Sequence, residues 1–291
     1  MIASQPASSS TFDYREQFVR LGNQDKLAGL VHCPTELDTS QPFFVILNAG
    51  IVHRVGPFRL NVDIARSVAA SGFGSLRFDL SGLGESEFRS GNLSAEERAL
   101  LDVHEVLNDL EQRYGVNRFV TVGLCSGAFN AFQAAVADKR ICGLISIDGI
   151  AFETPGFKKR EFKRKLNYRF VRNAIKRRAL GLNAYDENLP ASQLAQEEFF
   201  EVDEDPTRLR KQLGELIDRQ THLKFIYTAG SDDFNGVEQF REMFDVEPGP
   251  RLQVDYYAES EHTFPICQHR QQLLENIQNW ASQNFGPTNK P

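Results

Sequence analysis

Six short apolar runs alternate with stretches of helical periodicity along most of the chain. The runs are FFVILN at 43–48, GSLRFD at 74–79, FVTVG at 119–123, GLISID at 143–148, KFIYT at 224–228 and LQVDYY at 252–257. Apolar residues recur at helical spacing near 60–71, 94–113, 126–138, 236–244 and 268–284. Runs rich in β-branched and aromatic residues, separated by helices, predict βαβ units. Such units build a mostly parallel sheet with helices on both faces, an α/β class. Two short strands are expected before the first unit, within 16–33, around the turn-prone Gly22-Asn23-Gln24-Asp25. Which strand pairs with which is not legible from the pattern.

One segment interrupts the rhythm. No strand pattern lies between Asp148 and Lys224, only a charged stretch of helical character. Residues 157–178 carry 11 of the chain's 33 basic residues, and EEFFEVDED at 197–205 is strongly acidic. The expected organisation is therefore a loose tail at 1–12, a core at 13–150 and 221–286, and a helical lid insertion at 151–220. The insertion's opposite charges could simply pair with one another. Alternatively, its basic face could receive an anionic substrate or carrier. Its phenylalanines (Phe152, Phe157, Phe162, Phe199, Phe200) fit an apolar pocket or ordinary packing equally well.

Composition narrows the function classes. At 291 residues, 41% hydrophobic and 25% charged, the chain fits a soluble globular domain. A net charge of −6 argues against non-specific nucleic-acid binding. Cys33, Cys125, Cys142 and Cys267 are scattered without a CxxC pair, so no cysteine-built metal site is expected. Few cysteines, no basic and apolar leader, and no run of roughly 20 apolar residues point to the cytoplasm, without a membrane span.

The chemistry concentrates at the ends of the apolar runs. Gly123-Leu-Cys125-Ser126-Gly127 follows one run and opens an Ala-rich helix. A nucleophile on a tight strand–turn–helix elbow needs small residues two before and two after it, which places Cys125 at the nucleophile position. Ser126 would then supply a backbone N–H. Two other assignments stay open: Cys125 as a buried structural thiol, or Ser126 as nucleophile with the turn offset by one. Asn48-Ala-Gly50-Ile51 ends the first long run, and the N–H groups of Ile51 and Ser126 are the expected oxyanion donors. His53 and Arg54 follow and could line a substrate pocket, although His53 fits a surface role as well. Of six histidines, His262 alone lies between the last run and the C-terminal helix, where a general base would face the other strand ends. Asp233, three residues past Gly230, is the expected orienting acid, with Asp232 as the alternative and the unused one capping the next helix. Arg77-Phe-Asp79-Leu-Ser-Gly82-Leu-Gly84-Glu-Ser86 is read as a structural turn beside the elbow.

With these motifs in this order, the sequence resembles the α/β-hydrolase superfamily over roughly 15–285. Within it the chain is similar to the exosortase-associated hydrolases, in the stretch from Asn48 to Arg59, the GLC elbow and the HTF at 262–264. Its cysteine elbow also resembles that of dienelactone hydrolases. The resemblance implies a Cys–His–Asp triad with no metal or organic cofactor, acting on a small-molecule acyl substrate. The expected activity is hydrolysis of an ester, lactone or thioester through an acyl-cysteine. A thioester intermediate equally suits an acyltransferase or cyclase, passing an acyl group from coenzyme A or a carrier protein to an amine or hydroxyl. A non-catalytic binding module on the same fold is the third reading, and packing of two chains through the insertion would give a homodimer.

Overall fold

The computed structural model describes residues 12–166 and 205–286. It is built on one eight-stranded sheet in the order β1-β2-β4-β3-β5-β6-β7-β8. The strands are β1 (Tyr14–Leu21), β2 (Leu27–Pro34), β3 (Phe43–Ile46), β4 (Ser75–Phe78), β5 (Phe119–Leu124), β6 (Ile141–Ile147), β7 (His222–Thr228) and β8 (Leu252–Tyr257). β1 and β2 form an antiparallel hairpin, and β2 also runs antiparallel to β4. From β4 to β8 every pairing is parallel. All six apolar runs are strands of this parallel part.

Seven helices are described: α1 (Leu60–Ala70), α2 (Ala95–Tyr114), α3 (Ser126–Ala137), α4 (Pro155–Leu166), α5 (Pro206–Asp218), α6 (Glu238–Phe244) and α7 (Cys267–Phe285). α1 and α7 cover one face through Leu60, Ile64, Leu273, Ile277 and Trp280. The opposite face takes α2, α3, α5 and α6, through Val106, Leu110, Phe132, Leu213 and Phe240. Strands buried on both sides account for the unbroken apolar runs in the sequence. α2 shows how sequence sets an element's limits. Ser94 and Glu97 form a reciprocal capping box at its start, and Gly115 at φ 69° ends it in the left-handed region. Between them Ala99, Val103, Val106, Leu107 and Leu110 keep one stripe buried.

Two differences from the sequence expectation concern the edges of the core. Phe12, assigned to the tail, donates its N–H to the Ala70 carbonyl at 2.9 Å. The rest of that tail lies outside the described residues, as do 167–204 of the 151–220 segment, including five of the eleven basic residues of 157–178 and all of the acidic stretch 197–205 but its last residue. At the far end of that segment, α5 buries Leu209, Leu213 and Leu216 completely in the main core. It therefore serves as a layer helix of the sheet, because its apolar stripe has the core to bury against. No described helix is long and apolar enough to cross a membrane.

Candidate active site

The carboxyl ends of β3, β5, β6 and β8 meet around Cys125. The elbow is built as the glycine spacing requires. Cys125 has φ 57° and ψ −128°, a conformation that costs a non-glycine residue strain. Its N–H donates to the Ile147 carbonyl at 2.9 Å, which ties the turn to β6. A Cβ on Gly123 would lie 2.1 Å from the Gly127 carbonyl oxygen, and one on Gly127 would lie 2.1 Å from that of Asn48. Neither position accepts a side chain. Cys125 is exposed as a residue, which argues against the reading of it as a buried structural cysteine.

His262 stands against this thiol. Its Nδ1 lies 3.0 Å from Oδ2 of Asp148, which leaves Nε2 for the hydrogen bond with the sulfur. The bonds to Asp148 and then to Cys125 outweigh burial and push the imidazole up to about 10. Reciprocally, the His262 bond, its charge and the Ser126 N–H hold the Cys125 thiol below its ordinary value. The two shifts point the same way: each favours the thiolate–imidazolium form of the pair over the neutral one.

Asp148 was not among the expected site residues. It directly follows Ile147 at the end of β6, with φ 44° and 8% exposure. Thr228 at the end of β7 clamps it, donating its N–H to Oδ1 at 2.7 Å and its hydroxyl to Oδ2 at 2.6 Å. A buried carboxylate needs such partners, and His262 completes the set. The neighbouring Gly149 lets this turn lie on α3, since a Cβ there would come within 2.5 Å of Ala128 Cβ.

Asp233, the expected acid, is exposed and makes no side-chain hydrogen bond or ion pair among the described residues. Burial and then the nearby Asp232 and Glu153 raise its carboxyl, a setting opposite to that of an acid serving a cation. The chain leaving β7 approaches the base through Gly230 instead, where a Cβ would sit 2.3 Å from the His262 nitrogen. Asp232 is exposed too, and neither aspartate caps α6, whose first turn follows Val237 without a side-chain cap. The signal that could have found Asp148 was present: an apolar run next to the nucleophile's ends on an aspartate.

The loop after β3 carries the expected oxyanion donor. Residues 49–52 form a turn closed by the Val52 N–H to the Ala49 carbonyl at 3.0 Å. The Ile51 N–H has no acceptor among the described residues. Ser126 holds that loop in place, its Oγ accepting the Gly50 N–H at 2.8 Å. The hydroxyl is thereby committed to the backbone and has no base beside it, which argues against Ser126 as nucleophile. His53 is exposed, with Nδ1 receiving the Val55 N–H at 3.4 Å.

Arg54 is not free to line a pocket. Its guanidinium bonds Asp79 and Glu85, and its N–H donates to Asp79 Oδ1 at 2.5 Å. Asp79 is fully buried and also accepts from Asn48 Nδ2 at 3.2 Å and the Glu85 N–H at 3.2 Å. Asn48 in turn accepts the Leu80 N–H at 2.8 Å. The stretch 77–86 thus anchors the oxyanion loop from behind, and Arg54 belongs to the anchor because Asp79 needs a counter-charge.

Comparison with known proteins agrees with the fold. A family model described as alpha/beta hydrolase fold matches residues 42–278. Among solved structures, the esterase Pf2001 of Pyrococcus furiosus is 15% identical with a TM-score of 0.59, covering 98% of each chain. The α/β hydrolase GrgF from Penicillium sp. sh18 is 17% identical with a TM-score of 0.59, over 93% of this chain and 99% of that one. Est1E from Butyrivibrio proteoclasticus is 14% identical with a TM-score of 0.56, over 92% and 98%. At such identities the likeness is one of fold. No curated protein matches the sequence.

Proposed function

This chain belongs to the alpha/beta hydrolase fold family, and we propose that it cleaves esters, lactones or thioesters with the Cys125 thiolate as nucleophile. The relay from Asp148 through His262 to Cys125 is the observation that carries this reading. In the proposed reaction the thiolate attacks the substrate carbonyl and forms a C–S bond. The oxyanion is received by the N–H groups of Ile51 and Ser126, each such donor being worth roughly 3–4 kcal/mol in a transition state. His262, already an imidazolium, gives its proton to the departing alkoxide or thiolate and becomes the neutral base. Asp148 holds the ring and balances its charge. Neutral His262 then takes a proton from water, which attacks the acyl-cysteine and releases the acid. Every step uses side chains and water, with no cofactor, and a thiolate nucleophile suits a reducing cytosol.

A second reading is supported by the sulfur itself. A thioester keeps acyl-transfer potential that an oxygen ester does not, so an amine or hydroxyl could replace the water. The donor would then be a small acyl thioester, including one on coenzyme A or a carrier protein. Intact-mass analysis after brief exposure to an activated ester should find one acyl group, on Cys125. Iodoacetamide should alkylate Cys125 at pH 6 much faster than a free thiol, and His262→Ala should abolish the difference. Alkylation at free-thiol speed in both proteins would overturn the activated nucleophile. Adding an amine separates the two activities by the ratio of amide to acid formed.

A further inference from the structure

The face of the sheet covered by α1 holds a buried charge that the proposed reaction does not use. Arg77 on β4 lies opposite Leu30 on β2 and Ile46 on β3. Residues paired across strands share a face, and Ile46 packs in the cluster beneath α1, so the Arg77 side chain is on that side. It is only 7% exposed, and an arginine is almost never buried so far without a counter-ion. Of its five N–H donors one is used, from Nε to His32 Nε2 at 3.2 Å. Nη1 and Nη2 have no acceptor among the described residues, and neither is closed off from solvent.

Every carboxylate around this guanidinium is already taken. Glu16 accepts from Arg66 through both oxygens, at 2.6 and 3.2 Å. Asp79 and Glu85 both bond Arg54, and Asp63 is matched by Arg270 at 3.4 Å. Arg59, at the start of α1, has no carboxylate partner among the described residues. Arg20 has none either, its Nη1 resting on the Glu85 carbonyl at 3.0 Å. Arg54 holds one carboxylate more than it needs, so Arg20, Arg59 and Arg77 leave the cluster two positive charges in excess. His32 adds no charge, because burial above all takes its imidazole down to about 4. Of the charged groups acting on Arg77, Arg54, Arg66 and Arg59 repel it and only Glu16 attracts it. Burial and then Arg54 hold the guanidinium below its ordinary value. Water can accept the idle N–H bonds, but it offsets none of this repulsion.

We infer that Arg77 and Arg59 form a binding site for a phosphate group, a dianion that answers both charges and brings acceptors for the idle Nη atoms. The site stands apart from the Cys125 chemistry and does not rest on it. Calorimetric titration of the whole protein with inorganic phosphate at pH 8 and low salt tests it, with sodium chloride at equal ionic strength as the blank. Phosphate should bind saturably, and acetate, a monoanion, about 10-fold more weakly or less. Arg77→Met, which keeps the side-chain volume, should abolish the binding. Arg59→Gln, at an exposed position, should weaken it by about 5-fold. Phenyl phosphate binding more tightly than inorganic phosphate would assign the site to a phosphate ester, and equal or weaker binding to the free ion. Heats no larger than those of sodium chloride would overturn the inference, and equal affinity for acetate would overturn the choice of phosphate. Undiminished phosphate binding in Arg59→Gln would overturn it too, whether or not Arg77→Met folds.

Discussion

The ends of β6 and β7 are neighbours in the sheet, with Ile147 paired to Ile226, and each is followed by an aspartate that could serve the histidine. Asp148 comes one residue after its strand, buried, gripped by two donors from Thr228 and bonded to His262. Asp233 comes five residues after its strand, on the surface and among other acids. A carboxylate orients an imidazole only when something else orients the carboxylate. Thr228 does that for Asp148, so in this chain β7 supplies the clamp and β6 the carboxylate that bonds His262.

Substituting the two aspartates is the strongest way to break this contrast. Asp148→Asn should lower kcat/KM by about 1,000-fold or more, since an amide neither balances the imidazolium nor fixes the ring. Steady-state hydrolysis of an activated ester measures it. If Asp148→Asn kept its activity and Asp233→Asn lost it, the roles assigned above would be reversed.

The pH dependence sharpens the same point. His262 is raised to about 10, first by its bond to Asp148 and then by the thiolate. The imidazolium that protonates the leaving group therefore persists up to that pH, and kcat/KM should decline only as pH rises through about 10. In Asp148→Asn the residual activity should decline at lower pH, because the largest source of the elevation is gone. Stability follows with the same sign. A base whose folded value is raised stabilises fully below its unfolded value, roughly 6.5, and loses that contribution as pH rises through about 10. Denaturant titrations at pH 6, 8 and 10 would record the decline in the unaltered protein and its attenuation in Asp148→Asn.

Thr228→Val is a smaller perturbation. It removes the hydroxyl donor to Asp148 Oδ2 but keeps the N–H to Oδ1. Activity should fall by about 10-fold, within the range of one lost hydrogen bond to a charged group. An unchanged rate would mean that the backbone donor alone positions the acid.

The same pair of strands shows what the sequence could and could not reveal. Strands and helices of the α/β core were legible because the runs that form β3 to β7 are almost wholly buried and the helices packed on them keep one stripe. The elbow was legible because Gly123 and Gly127 answer a steric demand that two neighbouring backbones impose locally. His262 followed from its place between the last strand and last helix. The carboxylate that bonds His262 was not legible, since its place there depends on a contact between residues 148 and 228 across two strands. Counting from Gly230 gave that glycine the wrong meaning: its missing Cβ makes room for the backbone of His262. Arg54 misled for a similar reason. Its position beside the oxyanion loop is readable in the sequence, but its bonds to Asp79 and Glu85 arise only in the fold.

Asp233→Asn is expected to have the smallest effect, and its sign is informative. Partial burial, and then Asp232 and Glu153, disfavour the ionised form of Asp233. An acid whose folded value is raised weakens the fold when ionised, and the fold gains stability as pH falls through that value. A neutral amide removes the penalty at pH 7 while contributing nothing new at pH 4. The variant should therefore melt at an equal or slightly higher temperature than the unaltered protein at pH 7, with the difference closing as the pH is lowered. Its kcat/KM should stay within about 2-fold, because the side chain touches neither His262 nor Cys125. A melting temperature that fell at pH 7 would mean that Asp233 has a favourable partner, and β7 would then supply more than the clamp on Asp148.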